Sequence, residues 1–164
     1  MATYPRHLKA KAIRDYMIET NTVSMFKEEE NETTIFFRSL YEMDGDRVQL
    51  VININDTPHL GFQCLLASDV KEEKIPAVLE TLNKCNYEIP AIKYVLTDDK
   101  CVVVSMFIPV DADHMNPALI MATFAEILKS VNQMHYKKIK EVVGKESDSK
   151  VTDLNAVREE ATQE

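Results

Sequence analysis

Apolar residues recur along this chain with two different periods, and the changes between them divide it into elements. From about Pro5 to Thr20, Leu8, Ala12, Ile13, Tyr16 and Met17 fall on one side of a helical projection. Arg6, Lys9, Lys11, Arg14 and Asp15 fall on the other, which predicts an amphipathic helix. Between Val23 and Ala67 the period drops to two. VSMFKEEE predicts a short edge strand whose acidic end discourages pairing with another chain. TTIFFRSLYEM and RVQLVININ flank Asp44-Gly45-Asp46, and Asp-Gly accepts the positive φ that tight hairpins need. After the turn signal NDTPH, LGFQCLLA adds a strand with Phe62, Cys64 and Leu66 on one side, extending an antiparallel meander.

Helical spacing returns at Lys71 and runs to Asn86, with Ile75, Val78, Leu79, Leu82 and Cys85 on its stripe. Asp69 and Glu72 match a capping box, in which each side chain bonds the other's backbone N–H. Pro76 fits only if it lies in the first turn, where its missing N–H costs nothing. IKYVLTDD and CVVVSMFIPV predict two strands joined by a tight TDDK turn. The second of these is apolar on both sides: Val102, Val104, Met106 and Ile108 point one way, Cys101, Val103 and Phe107 the other. Such a strand is covered on both faces. Its second face is expected to meet the first helix or the chain's own loops, or else a second subunit or partner. Asn116 as cap and Pro117 at the first helical position open the last helix, striped by Ile120, Phe124, Ile127, Leu128, Val131, His135, Ile139 and Val142 and stopped at Gly144. About 27 residues make a helix roughly 40 Å long, so its end is expected to project or to contact a second subunit. Residues 1–144 thus form a single α+β domain of order helix-β-β-β(-β)-helix-β-β-helix, a twisted antiparallel sheet with helices packed on it. Residues 145–164 are expected to be an acidic, mobile tail carrying Val151, Leu154 and Val157.

Composition narrows the function classes. At 164 residues and 45% apolar, the chain can bury roughly 70% of its unfolded surface around one core. A formal charge of -8 repels nucleic-acid backbones and anionic membranes, so neither is expected as a partner. No apolar run approaches the roughly 18 residues that span a bilayer, and the start does not read as a signal peptide, so a cytoplasmic location is expected. Three widely spaced cysteines, Cys64, Cys85 and Cys101, make neither a disulfide framework nor a zinc pair. Three glycines leave no phosphate cradle and no nucleophile elbow.

The candidate chemistry is correspondingly thin. Cys85 continues a core stripe and lacks an evident base. Asn86 suits a left-handed helix end, with Asn83 bonding backbone in the last turn. Asp98 and Asp99 read as turn residues rather than a carboxylate pair. Asp111, Asp113 and His114 are the best metal guess, but no spacing completes a shell. His135 reads as a packed, hydrogen-bonded residue, and the run Glu28, Glu29, Glu30, Glu32 as a solvated edge. No catalytic residue, metal or cofactor is expected.

The segment VKEEKIPAVLETLNKCNYEIPAIKYVLTDDKCVVVSMFIPV, with Glu72 and Glu73 opening a helix, Leu82, Asn83 and Asn86 near its end, an acidic hairpin turn and a long closing helix, resembles the YbjN-like family, domains similar in fold to type III secretion chaperones. The resemblance covers roughly residues 5–143. It implies an α+β sandwich, a tendency to dimerise, sensory or regulatory roles, and no catalytic residues to carry over. The expectation is therefore a non-enzymatic, chaperone-like or regulatory protein-binding domain, a homodimer or a holder of a client protein, acting through the sheet face around Phe36, Leu40, Val103 and Phe107. The alternative is a small-ligand sensor with an apolar pocket between the sheet and the long last helix.

Overall fold

The two residues Asp44 and Gly45, at φ 48° and 85°, close the hairpin on which the sheet is built. Both positive angles suit a two-residue turn whose twist matches the strands it joins. The computed structural model describes residues 4–144, so the expected tail of residues 145–164 lies outside the described residues. On either side of the turn run β2 (Thr34–Met43) and β3 (Asp46–Asn55), in register from Met43 opposite Asp46 to Thr34 opposite Asn55. Around them β1 (Lys27–Glu30), β4 (His59–Ala67), β5 (Lys93–Leu96) and β6 (Val102–Pro109) complete a six-stranded antiparallel sheet of order β1-β2-β3-β4-β6-β5. VSMFKEEE divides into a 3-10 turn, Val23–Met25, and the expected acidic edge strand.

The helices pack on one face. They are α1 (Pro5–Glu19), α2 (Ile75–Glu88), α3 (Pro117–Ser130) and α4 (Lys137–Val143), with a π-helical segment at Val131–Tyr136 joining the last two. Ala10, Ile13 and Met17 of α1, Val78, Leu82 and Cys85 of α2, and Ile120, Phe124 and Leu128 of α3 enter one core with Ile35, Phe37, Leu50, Ile52, Phe62 and Val104 of the sheet. Phe62 stacks on Phe124 with ring centroids 4.7 Å apart.

Five local expectations are corrected. Lys9, placed on the solvent side of α1, is only 1% exposed, and its Nζ donates to the carbonyls of Thr57 (2.7 Å) and His59 (2.8 Å). A lysine stem is apolar enough to line a core provided its ammonium finds acceptors. Burial lowers its pKa despite nearby Asp56. The capping box does not form: Asp69 takes a left-handed φ of 54° and a 3-10 turn, Glu72–Lys74, leads into α2. Pro76 accordingly sits in the first turn, as it must. Asn86 does not end its helix. It lies inside α2 and its side chain pairs with edge strand β5, accepting from Tyr94 N at 2.6 Å and donating to Tyr94 O at 3.1 Å. Replacing Asn86 by alanine strips both bonds from a short edge strand. A loss of about 1–2 kcal/mol is expected, read by urea unfolding.

The last helix is continuous from Pro117 to Val143, but its register shifts. The π segment turns two neighbours, His135 and Tyr136, inward together, after which Ile139 and Val143 are buried instead of Val142. An extra residue in the helical turn is what lets consecutive side chains share a face. Asn116 caps as expected, accepting from Leu119 N at 3.0 Å. Finally, α1 does not cover the second face of β6, since it shares the core side with the other helices.

Candidate functional site

The second face of the sheet carries no helix among the described residues, and its side chains follow from register alone. Facing residues on neighbouring strands share a face. One row therefore crosses the sheet as Glu29, Phe36, Asn53, Gly61 and Phe107, a second as Lys27, Arg38, Val51, Gln63 and Ser105, and a third as Leu40, Gln49, Leu65 and Val103. The four residues expected to form a surface thus do share this face. Leu40 and Phe107, 52% and 57% exposed, stand out from it, while Phe36 and Val103, 7% and 6% exposed, form its floor.

Two devices shape the face. Gly61 lies against one edge of the Phe107 ring, and a Cβ there would come within 3.1 Å of it, so a strand glycine leaves the room the ring takes. Arg38 reaches from the middle row toward the first, its Nε donating to Glu29 at 2.7 Å and its guanidinium 5.2 Å from the centre of the Phe36 ring. Beyond them a cleft of about 700 Å³ opens between the 3-10 turn and the sheet, lined by Met25, Phe26, Arg38, Leu40 and Gln49.

On the helix side the polar residues join in a relay that sequence reasoning missed. Tyr94 Oη lies 2.7 Å from His135 Nδ1, His135 Nε2 lies 2.8 Å from Glu88, and Lys138 approaches the same carboxylate at 3.4 Å. The hydrogen bond from His135, reinforced by the Lys138 charge, holds the Glu88 carboxyl below its ordinary range. A carboxylate only accepts, so Nε2 carries the proton, and in the neutral ring Nδ1 accepts from the phenol. The order of groups is that of a nucleophile, base and orienting acid. Its head group argues against that use: Tyr94 is buried, and burial pushes its phenol well above the usual range. The relay locks α2, β5 and the π segment together. Next to it, Tyr136 donates to Asp46 at 2.9 Å, tying the same segment to the hairpin tip.

The other candidates resolve locally. Cys64, Cys85 and Cys101 are free and buried, and burial raises each thiol. Asp98 and Asp99 sit in the turn in which Lys100 N bonds Thr97 O. Asp111 accepts from the Asp113 backbone and pairs with His114 at 3.0 Å in an exposed loop. No group of three His, Cys, Asp or Glu residues suited to a metal occurs among the described residues. Glu28 and Glu30 face α1, pairing with Arg14 and His7, rather than solvent alone.

Three thiols and the phenols of Tyr94 and Tyr136 all have raised pKa values, first because of burial. A raised folded-state pKa contributes stability that is present below the unfolded value and lost as pH rises toward the folded one. Unfolding free energy is therefore expected to fall from about pH 8.5–10 upward, each group adding up to about 1.4 kcal/mol per pH unit. Urea midpoints between pH 8 and 11 test this, and a flat profile would contradict it.

Among the described residues no helix is long and apolar enough to cross a membrane. The family model of YbjN, described as "Putative bacterial sensory transduction regulator", matches residues 26–136. The match takes in all six strands, α2, α3 and the π segment, and stops short of α1 and α4. No curated protein matches the chain.

Proposed function

This chain belongs to the YbjN family, and from that premise we propose that it is a non-enzymatic regulatory protein, chaperone-like in action, that captures a protein partner on the second face of its sheet. The observation that carries the reading is the arrangement of Leu40 and Phe107, both exposed, at opposite corners of a floor made by Phe36, Val51, Leu65 and Val103. Single exposed apolar residues are ordinary on protein surfaces. Here the apolar residues alternate with Arg38, Gln49, Asn53, Gln63 and Ser105, with Lys27, Glu29 and Lys93 toward the margins, so an occupant would meet apolar anchors and hydrogen-bonding groups side by side. The occupant under this reading is a client segment or a second copy of the chain. The buried head group of the Tyr94 relay favours binding over chemistry.

The test is the double variant Leu40→Ser/Phe107→Ser. Both positions are exposed, so circular dichroism and the thermal midpoint are expected to stay near wild type, while self-association or partner capture falls at least tenfold. Association undiminished in a folded double variant would remove this face from consideration.

A further inference from the structure

We infer that the cleft between the 3-10 turn and the sheet anchors the captured partner by taking one aromatic side chain with a hydrogen-bond donor at its edge, the indole of a tryptophan or the phenol of a tyrosine. The inference rests on reading the second face as the working surface, and three observations carry it beyond that reading.

The first is an acceptor that lacks a donor. Gln49 stands on β3, directly across from Leu40 of β2 and Leu65 of β4, and lines the cleft. Its Oε1 is closed off from water, and among the described residues no donor reaches it. A buried amide oxygen in that state is costly, and folded proteins hold few of them. The terminal torsion of a glutamine is broad, so a turn of the amide offers this oxygen to a donor lying in the cleft.

The second is the wall. Met25, 61% exposed, Leu40 and the partly buried Phe26 supply its apolar part. A thioether, an aliphatic branch and a ring are all surfaces on which an aromatic side chain packs well. The volume of about 700 Å³ has room for one such side chain together with the backbone that carries it.

The third is charge. The ionic groups on the wall are already bonded among themselves, Lys27 Nζ lying 2.6 Å and Arg38 Nε 2.7 Å from the Glu29 carboxylate. A neutral occupant leaves these pairs intact, whereas a carboxylate competes with Glu29 and an ammonium with Lys27. Recognition is left to apolar area and one acceptor, whose complement is an apolar body with one neutral donor. Aliphatic side chains lack the donor, and asparagine or glutamine lacks the area. Tryptophan and tyrosine have both, which is why they so often dominate interfaces. This chain contains no tryptophan, so an indole in the cleft belongs to another molecule and its fluorescence reports on that molecule alone.

The test is a titration of the full chain, labelled at its methionine and leucine methyls, with N-acetyltryptophanamide. The Met25 and Leu40 signals are expected to shift and the indole emission to move to the blue, and N-acetyltyrosinamide is expected to shift the same two signals. The 1-methylindole analogue keeps the ring but lacks the N–H, and should bind about five-fold more weakly. Gln49→Met keeps the bulk but lacks the oxygen, and should bring the two indole probes to equal affinity. If that variant folds poorly, the comparison of the two probes on the wild-type chain decides alone. Equal binding of the 1-methyl analogue or of N-acetylleucinamide to the wild type would overturn the inference. So would a titration to the solubility limit of the probe that leaves Met25 and Leu40 unmoved. Loss of association in Leu40→Ser/Phe107→Ser alongside either of those results would leave the face as the working surface and remove only its aromatic anchor.

Discussion

Replacing Phe62 by alanine is expected to lower the free energy of unfolding by roughly 3–5 kcal/mol. Phe62 stands on β4, between β3 and β6, opposite Ile52 on one side and Met106 on the other. Its ring is buried and stacks on Phe124 at 4.7 Å with 24° between planes, so it is one of the contacts through which α3 rests on the sheet. Truncation removes the transfer energy of the ring and leaves a cavity that a six-stranded sheet cannot close by shifting one strand. Phe107→Ala provides the contrast. That ring is mostly exposed on the second face, and its loss should cost less than about 1 kcal/mol. Urea titrations of the two variants give the comparison directly. Equal costs would mean that the two faces of the sheet are not the inside and outside described here.

The second large effect is expected at His135. His135→Leu keeps a buried side chain of similar bulk but removes the acceptor of the Tyr94 hydroxyl and the donor to Glu88. The hydroxyl is then left inside the core without its partner, and a destabilisation of about 2–3 kcal/mol is expected. Glu88, partly exposed, can turn to water and Lys138. Adding Tyr94→Phe should therefore recover part of the loss, because the orphaned hydroxyl goes with it. A double-mutant cycle with a coupling energy near zero would show that the relay is not a unit.

Much of this fold was legible because local chemistry and tertiary structure agreed. Asp44-Gly45 set a turn, alternating Val48, Leu50, Ile52 and Ile54 set a face, and Asn116-Pro117 set a helix start, each by a mechanism acting within a few residues. What escaped depends on distant partners. Lys9 is buried only because the carbonyls of Thr57, in the β3–β4 connection, and of His59, the first residue of β4, meet it. Asn86 sits inside a helix because a strand arrives eight residues later to use its amide. Asp69 and Glu72 have the spacing of a capping box, but Asp69 is held left-handed where Val70 N bonds Lys100 O. The π segment has no single-residue signature: His135 and Tyr136 turn inward together because Tyr94, Glu88 and Asp46 each offer a partner. For the candidate surface, pattern alone placed Phe36, Leu40, Val103 and Phe107 on one face. Which of them stand proud was decided by strand order, which put Gly61 against Phe107 and Asn53 beside Phe36.

The three cysteines have a practical consequence for following this protein in solution. Cys64 belongs to β4, Cys85 to α2 and Cys101 to the turn just before β6, and each is closed from solvent with its thiolate disfavoured. Alkylating reagents attack only the thiolate of an opened molecule, so each native cysteine acts as a clock for its own part of the structure. If α2 lifts from the sheet without global unfolding, Cys85 is modified ahead of Cys64, and mass spectrometry of partly alkylated protein records the order of opening. A cysteine introduced on the exposed second face would react far sooner than all three, giving a site for selective labelling with no native thiol removed.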